Sequence, residues 1–115
     1  MGGWGGSSIK PFKNKKYPLN GFSALTRKRH FDDHGKEYGV NSINEYEKLA
    51  IVLRDKNIDT NIREFISESG LRFKYDIKNN DFLIYKENGE IVTLYKPDDG
   101  YNYWERQVVK YGSKE

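Results

Sequence analysis

The spacing of hydrophobic residues changes along the chain and predicts helices first and strands afterwards. Between residues 42 and 56, apolar side chains recur at steps of three and four, as on one face of an amphipathic helix. Ser42 and Glu45 have the spacing of a capping box, which satisfies free amides of the first helical turn. The apolar members of this face are Ile43, Tyr46, Leu49, Ala50 and Leu53.

After Asn57 the hydrophobic period falls to two, which is the period of β-strands. Four strands are predicted, at residues 62–67, 71–76, 81–86 and 90–96. Asn88 and Gly89 favour a two-residue hairpin turn, because both tolerate positive φ. Pro97 ends the last strand, since proline donates no ladder hydrogen bond.

Two further helices complete the predicted fold. A short one runs from Ser23 to Gly35, and a final one opens at Asp98 and Asp99 and continues through Gln107. The order of elements predicts an α+β domain of two layers. Its N-terminal helices pack on a four-stranded antiparallel meander sheet, and a short C-terminal helix follows.

The predicted turns fix a register in which Asp76 faces Asp81 and Glu87 faces Glu90, and this register defines two sheet faces. The expected core face carries Leu71, Phe73, Tyr75, Phe82, Ile84, Ile91, Thr93 and Tyr95. The other carries Arg72, Lys74, Leu83, Tyr85, Val92, Leu94 and Lys96. Cations on this second face can hold phosphates beside stacked bases, or simply point into water. A bulge would exchange the faces beyond it.

Composition restricts the function classes. The 115 residues suit one domain, which we place at residues 23–112 behind a Gly- and Lys-rich arm of residues 1–22. Residues 1–40 carry eight Lys/Arg and three Asp/Glu, a balance that suits a polyanionic partner. The chain has no cysteine, which excludes disulfides and thiol catalysis. No membrane anchor or signal peptide is predicted, since no apolar run is long enough.

Both histidines, His30 and His34, lie in the stretch RHFDDHGKEYG at residues 29–39. The four-residue spacing allows a shared metal ion, but the glutamate of the motif H-E-x-x-H is absent. A histidine near a helix end can also only pack and cap carbonyls. The third interpretation is proton transfer, because imidazole titrates close to neutral pH. Spacing alone leaves these interpretations open.

Four stretches, in their order, resemble the carboxy-terminal toxin domains of polymorphic bacterial toxins. They are RHFDDHGKEYG, EYEKLA, LRFKYDIKNNDFLIYKENGEIVTLYKP and DDGYNYWERQ. More narrowly, they resemble the group of barnase, EndoU, colicin E5, colicin D and RelE-like ribonucleases, and in particular its colicin D-like members. The resemblance runs from Arg29 to Gln107 and omits the arm.

This resemblance implies a metal-independent endoribonuclease toxin that acts without a cofactor in competition between bacteria. The expected target is RNA, and tRNA by analogy, with attack by the ribose 2′-hydroxyl and a 2′,3′-cyclic phosphate product. Implied partners are a cognate immunity protein and a larger secreted or phage-borne delivery protein. A specialised secretion system would then bring the domain to the target-cell cytoplasm.

The resemblance also assigns candidate site residues. His34 is the expected catalytic histidine, with His30 as a further candidate, Thr93 as the polar strand position, and Lys96 and Arg72 as the basic ones. Candidates for substrate binding are Lys74, Tyr85, Tyr95 and Trp104, since aromatic side chains stack on unpaired bases. The rival interpretations are a non-catalytic nucleic-acid-binding module and a protein-interaction module.

Overall fold

A computed structural model of the chain describes Tyr17 and residues 21–112. The strands are β1 (Gly21–Phe22), β2 (Ile62–Ile66), β3 (Arg72–Asp76), β4 (Asp81–Tyr85) and β5 (Glu90–Tyr95). The helices are α1 (Arg27–His34), α2 (Ile43–Asp55) and α3 (Tyr101–Tyr111), and a 3-10 helix (Gly35–Tyr38) directly follows α1. The α+β class is thereby confirmed.

The strands form one mixed sheet in the order β1-β5-β4-β3-β2. Strands β2 to β5 are the predicted antiparallel meander, and β1 adds a fifth strand that lies parallel to β5. The sequence did not predict β1, because its two residues fall within the proposed arm. The rest of that arm, apart from Tyr17, lies outside the described residues.

Helices cover both faces of the sheet, so the prediction of two layers is wrong. On one face, α2 buries Tyr46, Ala50 and Leu53 against the sheet. On the other, Trp104 of α3 is 4% exposed and its ring stacks on Tyr75 at 5.7 Å. The face expected to offer cations to a ligand therefore lies largely beneath α2. Its buried members are Lys74, Leu83, Tyr85 and Leu94.

The predicted strand register is right for β3 with β4 and only partly right for β4 with β5. Asp76 pairs with Asp81 as expected. Lys86 rather than Glu87 faces Glu90, so the turn has three residues and Gly89 adopts φ 98°. A register shift next to Ile84 compensates for the extra turn residue and moves Ile91 onto the α2 face.

The start of α2 forms as the capping pattern predicts. The Ser42 hydroxyl accepts a hydrogen bond from the Glu45 amide at 3.2 Å. The Glu45 carboxylate accepts from the amide of Asn41 instead of that of Ser42. Leu49, expected on the buried face, is 40% exposed because it lies at the margin of the contact with the sheet. No helix of the described part of the chain is long and apolar enough to cross a bilayer.

The helix α1 ends at His34 with Gly35 as its C-terminal cap, as predicted. Gly35 also starts the 3-10 helix, which was not predicted and which Gly39, at φ 67°, ends. Gly35 is buried, and a Cβ there would lie 2.7 Å from the ring of Phe31. This close packing leaves no room for a side chain at Gly35. The 3-10 helix that starts there is hydrogen-bonded to the end of β5 through Glu37.

Candidate active site

A surface hollow of about 460 Å³ lies where β5 ends, and we call it the His34 hollow. It is formed by the end of α1, the 3-10 helix, the residues after β5, and α3. Its lining residues are His34, Glu37, Tyr95, Lys96, Pro97, Asp98, Asp99 and Tyr103. The predicted site residues His34, Tyr95 and Lys96 are thus brought together from distant parts of the chain.

His34 is held by a carboxylate that the sequence prediction did not include. Its Nδ1 lies 2.9 Å from Oε2 of Glu37, three residues later. Residues three apart eclipse each other in a 3-10 helix, which explains why the two side chains meet. An ionised carboxylate can only accept, so this pairing favours the tautomer with the proton on Nδ1, in which Nε2 of the neutral imidazole is a proton acceptor.

Glu37 also ties this segment to the sheet. Its Oε1 accepts a hydrogen bond from the backbone amide of Lys96 at 2.9 Å. Among the described residues, β1 pairs only with Glu90 and Ile91, so on this edge of the sheet the later residues of β5 lie beside α1. One carboxylate therefore fixes both the imidazole and the end of β5.

Two tyrosines from different elements form the wall next to His34. The ring of Tyr95 stacks on the imidazole at 5.3 Å, and its hydroxyl is hydrogen-bonded to that of Tyr103 on α3. Burial raises the pKa of Tyr95, and its hydrogen bond with Tyr103 adds to the effect. In such a pair one hydroxyl donates to the other, so the second retains a proton for another acceptor.

Lys96 is firmly positioned and electrostatically paired. Its ammonium donates to the carboxylate of Asp81 at 2.7 Å and to the carbonyl of Asn79 at 2.9 Å. It also lies 4.7 Å from the centre of the Tyr38 ring. Burial raises the pKa of Asp81, against the opposing effect of Lys96. An ammonium has three donors, so one N–H of Lys96 is left for a ligand.

The charge of the His34 hollow is negative. Its lining has one lysine against three carboxylates, which gives a formal charge of −2 with neutral His34. Asp99 is paired with Arg106 at 2.7 Å, and Asp98 is exposed. The hollow carries proton-transfer groups, but its lining charges do not by themselves attract a polyanion.

Two other predicted site residues, Thr93 and His30, do not line this hollow. Thr93 is half-buried in β5 and shares the α3 face with Tyr95. His30 stacks on Phe22 at 5.3 Å, and its Nδ1 is buried without a hydrogen-bond partner among the described residues. Burial lowers the pKa of His30, and the charge of Arg29 adds to the effect. His30 therefore packs, as one of the sequence interpretations held.

The remaining candidates lie elsewhere, which corrects the expectation of a single shared site. Arg72, Lys74 and Tyr85 line a second hollow near the end of α2. Trp104 is buried in the core beneath α3, where its ring contacts Phe65 and Tyr75 instead of solvent. The register explains the first separation, since Arg72 pairs with Tyr85 at the opposite end of β4 from Asp81.

Sequence reasoning missed Glu37, Tyr103 and Asp81. Glu37 stands inside the quoted histidine stretch, but a helix that ends at Gly35 gave no reason to bring it back to His34. Asp81 was considered only as a strand end. Only the approach of Tyr103 depends wholly on tertiary structure, because it requires α3 to cover the sheet.

No protein-family model matches this chain, and no curated protein matches it. The resemblance to ribonuclease toxins therefore stays a prediction. Within the described residues, no group of three or more His, Asp or Glu side chains is arranged to hold a metal ion.

Proposed function

We propose that this chain is a metal-independent endoribonuclease and that His34 transfers the proton that starts RNA cleavage. The observation that carries the proposal is the His34–Glu37 pair, in which Nδ1 is bonded to the carboxylate at the wall of a hollow that Lys96 also lines. A base oriented by a second polar group is a recurring arrangement in catalytic sites.

In the proposed reaction, Nε2 of His34 accepts the proton of a ribose 2′-hydroxyl, and the oxygen attacks the adjacent phosphorus. The remaining N–H of Lys96 and the free hydroxyl proton of the tyrosine pair stabilise the added charge on the phosphate oxygens. The 5′-oxygen leaves with a proton from Lys96, which yields a 2′,3′-cyclic phosphate and a 5′-hydroxyl. Glu37 stabilises the imidazolium that forms.

The biological setting in this proposal rests on the sequence resemblance. In this proposed setting, a larger protein delivers the toxin into a competing bacterium, and an immunity protein neutralises it in the producer. A tRNA is the proposed target, because its loops offer unpaired nucleotides.

The direct test is incubation of the purified protein with bacterial tRNA in EDTA at pH 6 to 8 (about the range in which imidazole titrates). We expect discrete fragments, and mass spectrometry should find 2′,3′-cyclic phosphate at their ends. RNA with 2′-O-methyl groups, which lacks the nucleophile, should remain intact. Absence of cleavage, or cleavage only after a divalent metal is restored, would contradict the proposal.

The negative charge of the His34 hollow is unfavourable for an RNA phosphate and favours one alternative, a non-catalytic module that binds RNA at another part of its surface. In that case the Glu37–His34 bond would only fasten the 3-10 helix to β5. A gel-shift measurement of RNA binding beside the cleavage assay separates the two, since binding without any fragments would support the non-catalytic module.

A further inference from the structure

A second hollow, of about 320 Å³, lies where the end of α2 meets β2, β3 and β4, and we call it the Arg72 hollow. Its lining has four cations and two carboxylates, a formal charge of +2. The charged side chains are Arg54, Lys56, Arg72, Lys74, Asp55 and Glu64. Its sign is opposite to that of the His34 hollow.

The floor of the Arg72 hollow is held in place by hydrogen bonds. Lys74 is 2% exposed, and its ammonium donates to the backbone carbonyls of Arg54 and Lys56 at the end of α2. Such carbonyls have no partner within a helix. The Arg54 guanidinium donates to the carbonyl of Gly89, and the Tyr85 hydroxyl to the carboxylate of Glu64. The bonds of Lys74 and Arg54 fasten the end of α2 to the sheet and its last turn, and the Tyr85–Glu64 bond joins β4 to β2 across the floor.

The rim, by contrast, offers groups to a ligand. Arg72 uses one N–H on the carbonyl of Gly70 at 3.0 Å, out of the five donors of a guanidinium. The side chain of Lys56 is 42% exposed and lies 3.5 Å from Asp76. Beside these cations are the exposed Ile58 and the half-buried ring of Tyr17, which the Arg54 guanidinium contacts at 4.3 Å. Cations next to apolar and aromatic surface are what sites for unpaired nucleotides combine.

We infer that the Arg72 hollow binds an unpaired nucleotide of an RNA, at a distance from the bond that is cut. Arg72 and Lys56 contact the phosphate, and the base lies against Tyr17 and Ile58. The choice of RNA as the ligand rests on the proposed function. The positive charge and the Arg72 fork account for the phosphate, and the exposed Ile58 beside the half-buried Tyr17 accounts for the base.

The two hollows are too far apart for one nucleotide. Asp81, which binds Lys96, and Tyr85 of the Arg72 hollow are the first and last residues of β4, about 13 Å apart along the strand. An RNA of several nucleotides is needed to reach both. A dinucleotide has a single phosphate, which the proposed reaction places in the His34 hollow, so it offers no phosphate to Arg72.

Binding should be measured with a single-stranded 2′-O-methyl RNA of about 12 nucleotides, which the 2′-hydroxyl mechanism cannot cleave. We expect Arg72→Gln to weaken binding about tenfold and to lower the slope of log K against log salt by about 0.7. Arg63→Gln is the matched control, because Arg63 lies in β2 on the opposite face of the sheet. It should bind like the parent.

Equal affinity and equal salt slope for the two variants would overturn the Arg72 hollow as a nucleotide site, as would a parent protein that does not bind the oligonucleotide. Circular dichroism and thermal unfolding establish that both variants fold. If binding depends on Arg72 but natural RNA is never cut, the hollow stands and the ribonuclease proposal fails. In cleavage assays, Arg72→Gln should slow a long substrate about tenfold and leave a dinucleotide unaffected.

Discussion

The His34 hollow and the Arg72 hollow lie at opposite ends of the sheet and have opposite formal charges, −2 and +2. In the first, an imidazole, a carboxylate and two hydroxyls form a chain of hydrogen bonds and ring contacts. In the second, cations surround apolar side chains. In the proposed ribonuclease, proton transfer and attraction of a polyanion would therefore be separate tasks, each at its own end of the sheet.

Two lysines illustrate the same contrast. Lys96 is paired with Asp81 and keeps a partly exposed side chain at the His34 hollow. Lys74 is buried and serves the end of α2, and burial lowers its pKa. Both were predicted to contact substrate from one face of the sheet. The structure leaves that role open to Lys96 and gives Lys74 a structural one.

The largest expected effect comes from His34. In His34→Ala the base is lost, and RNA cleavage should fall by about 10²- to 10⁴-fold while affinity for 2′-O-methyl RNA is unchanged. His30→Ala is the control, since it removes an imidazole that stacks on Phe22 away from the hollow. It should lower thermal stability, but the folded protein should cleave RNA at close to the parent rate. A similar loss of cleavage in both variants would remove the distinction between the two histidines.

Glu37 tests whether the imidazole must be oriented. Glu37→Gln keeps the size of the side chain and an oxygen for the Lys96 amide, but loses the charge that stabilises an imidazolium. We expect kcat to fall about 10- to 100-fold with KM nearly unchanged. A purely structural role would instead lower thermal stability and leave kcat of the folded protein intact. Steady-state kinetics together with a melting curve distinguish the two.

The accuracy of the sequence predictions depended on how far apart in the chain the interacting residues are. The predictions of the Ser42 cap and of helix α2 were right, because each depends only on residues that are close together in the chain. The turn before Glu90 was misjudged by one residue, since Asn88-Gly89 fits both a two-residue turn and the end of a three-residue one. That difference and the bulge beside Ile84 decided on which face Ile91 lies.

The grouping of the site residues could be predicted only in part. Tyr95 and Lys96 are adjacent in the chain, so the end of β5 was a reasonable place for a site. Arg72 was grouped with them because the alternation of side chains places it on the same predicted sheet face as Lys96. Alternation predicts the face of a sheet but not the position along the strands. The cover of both faces by helices likewise depends on contacts between distant segments.

Lys74 tests whether the cations of the Arg72 hollow contribute to the stability of the fold. In Lys74→Met the two carbonyls at the end of α2 lose their donor, and buried polar groups without partners cost about 1–3 kcal/mol. Part of this loss of stability is offset, because the substitution also removes a buried charge, which is itself unfavourable. We expect the free energy of unfolding in urea to fall by about 1–3 kcal/mol. Lys96→Met should do the reverse, lowering cleavage more than stability. Equal stability of Lys74→Met and the parent would contradict this division.

The smallest expected effect concerns the negative charge of the His34 hollow itself. Asp98 is exposed on its rim, so Asp98→Asn removes one charge without disturbing packing. Affinity for 2′-O-methyl RNA should rise about two- to threefold at low salt and return to the parent value at high salt, where surface charges are screened. Glu105→Gln removes the same charge from α3, outside both hollows, and should change affinity less. If the two variants behave alike, RNA responds to the net charge of the protein and does not pass close to His34.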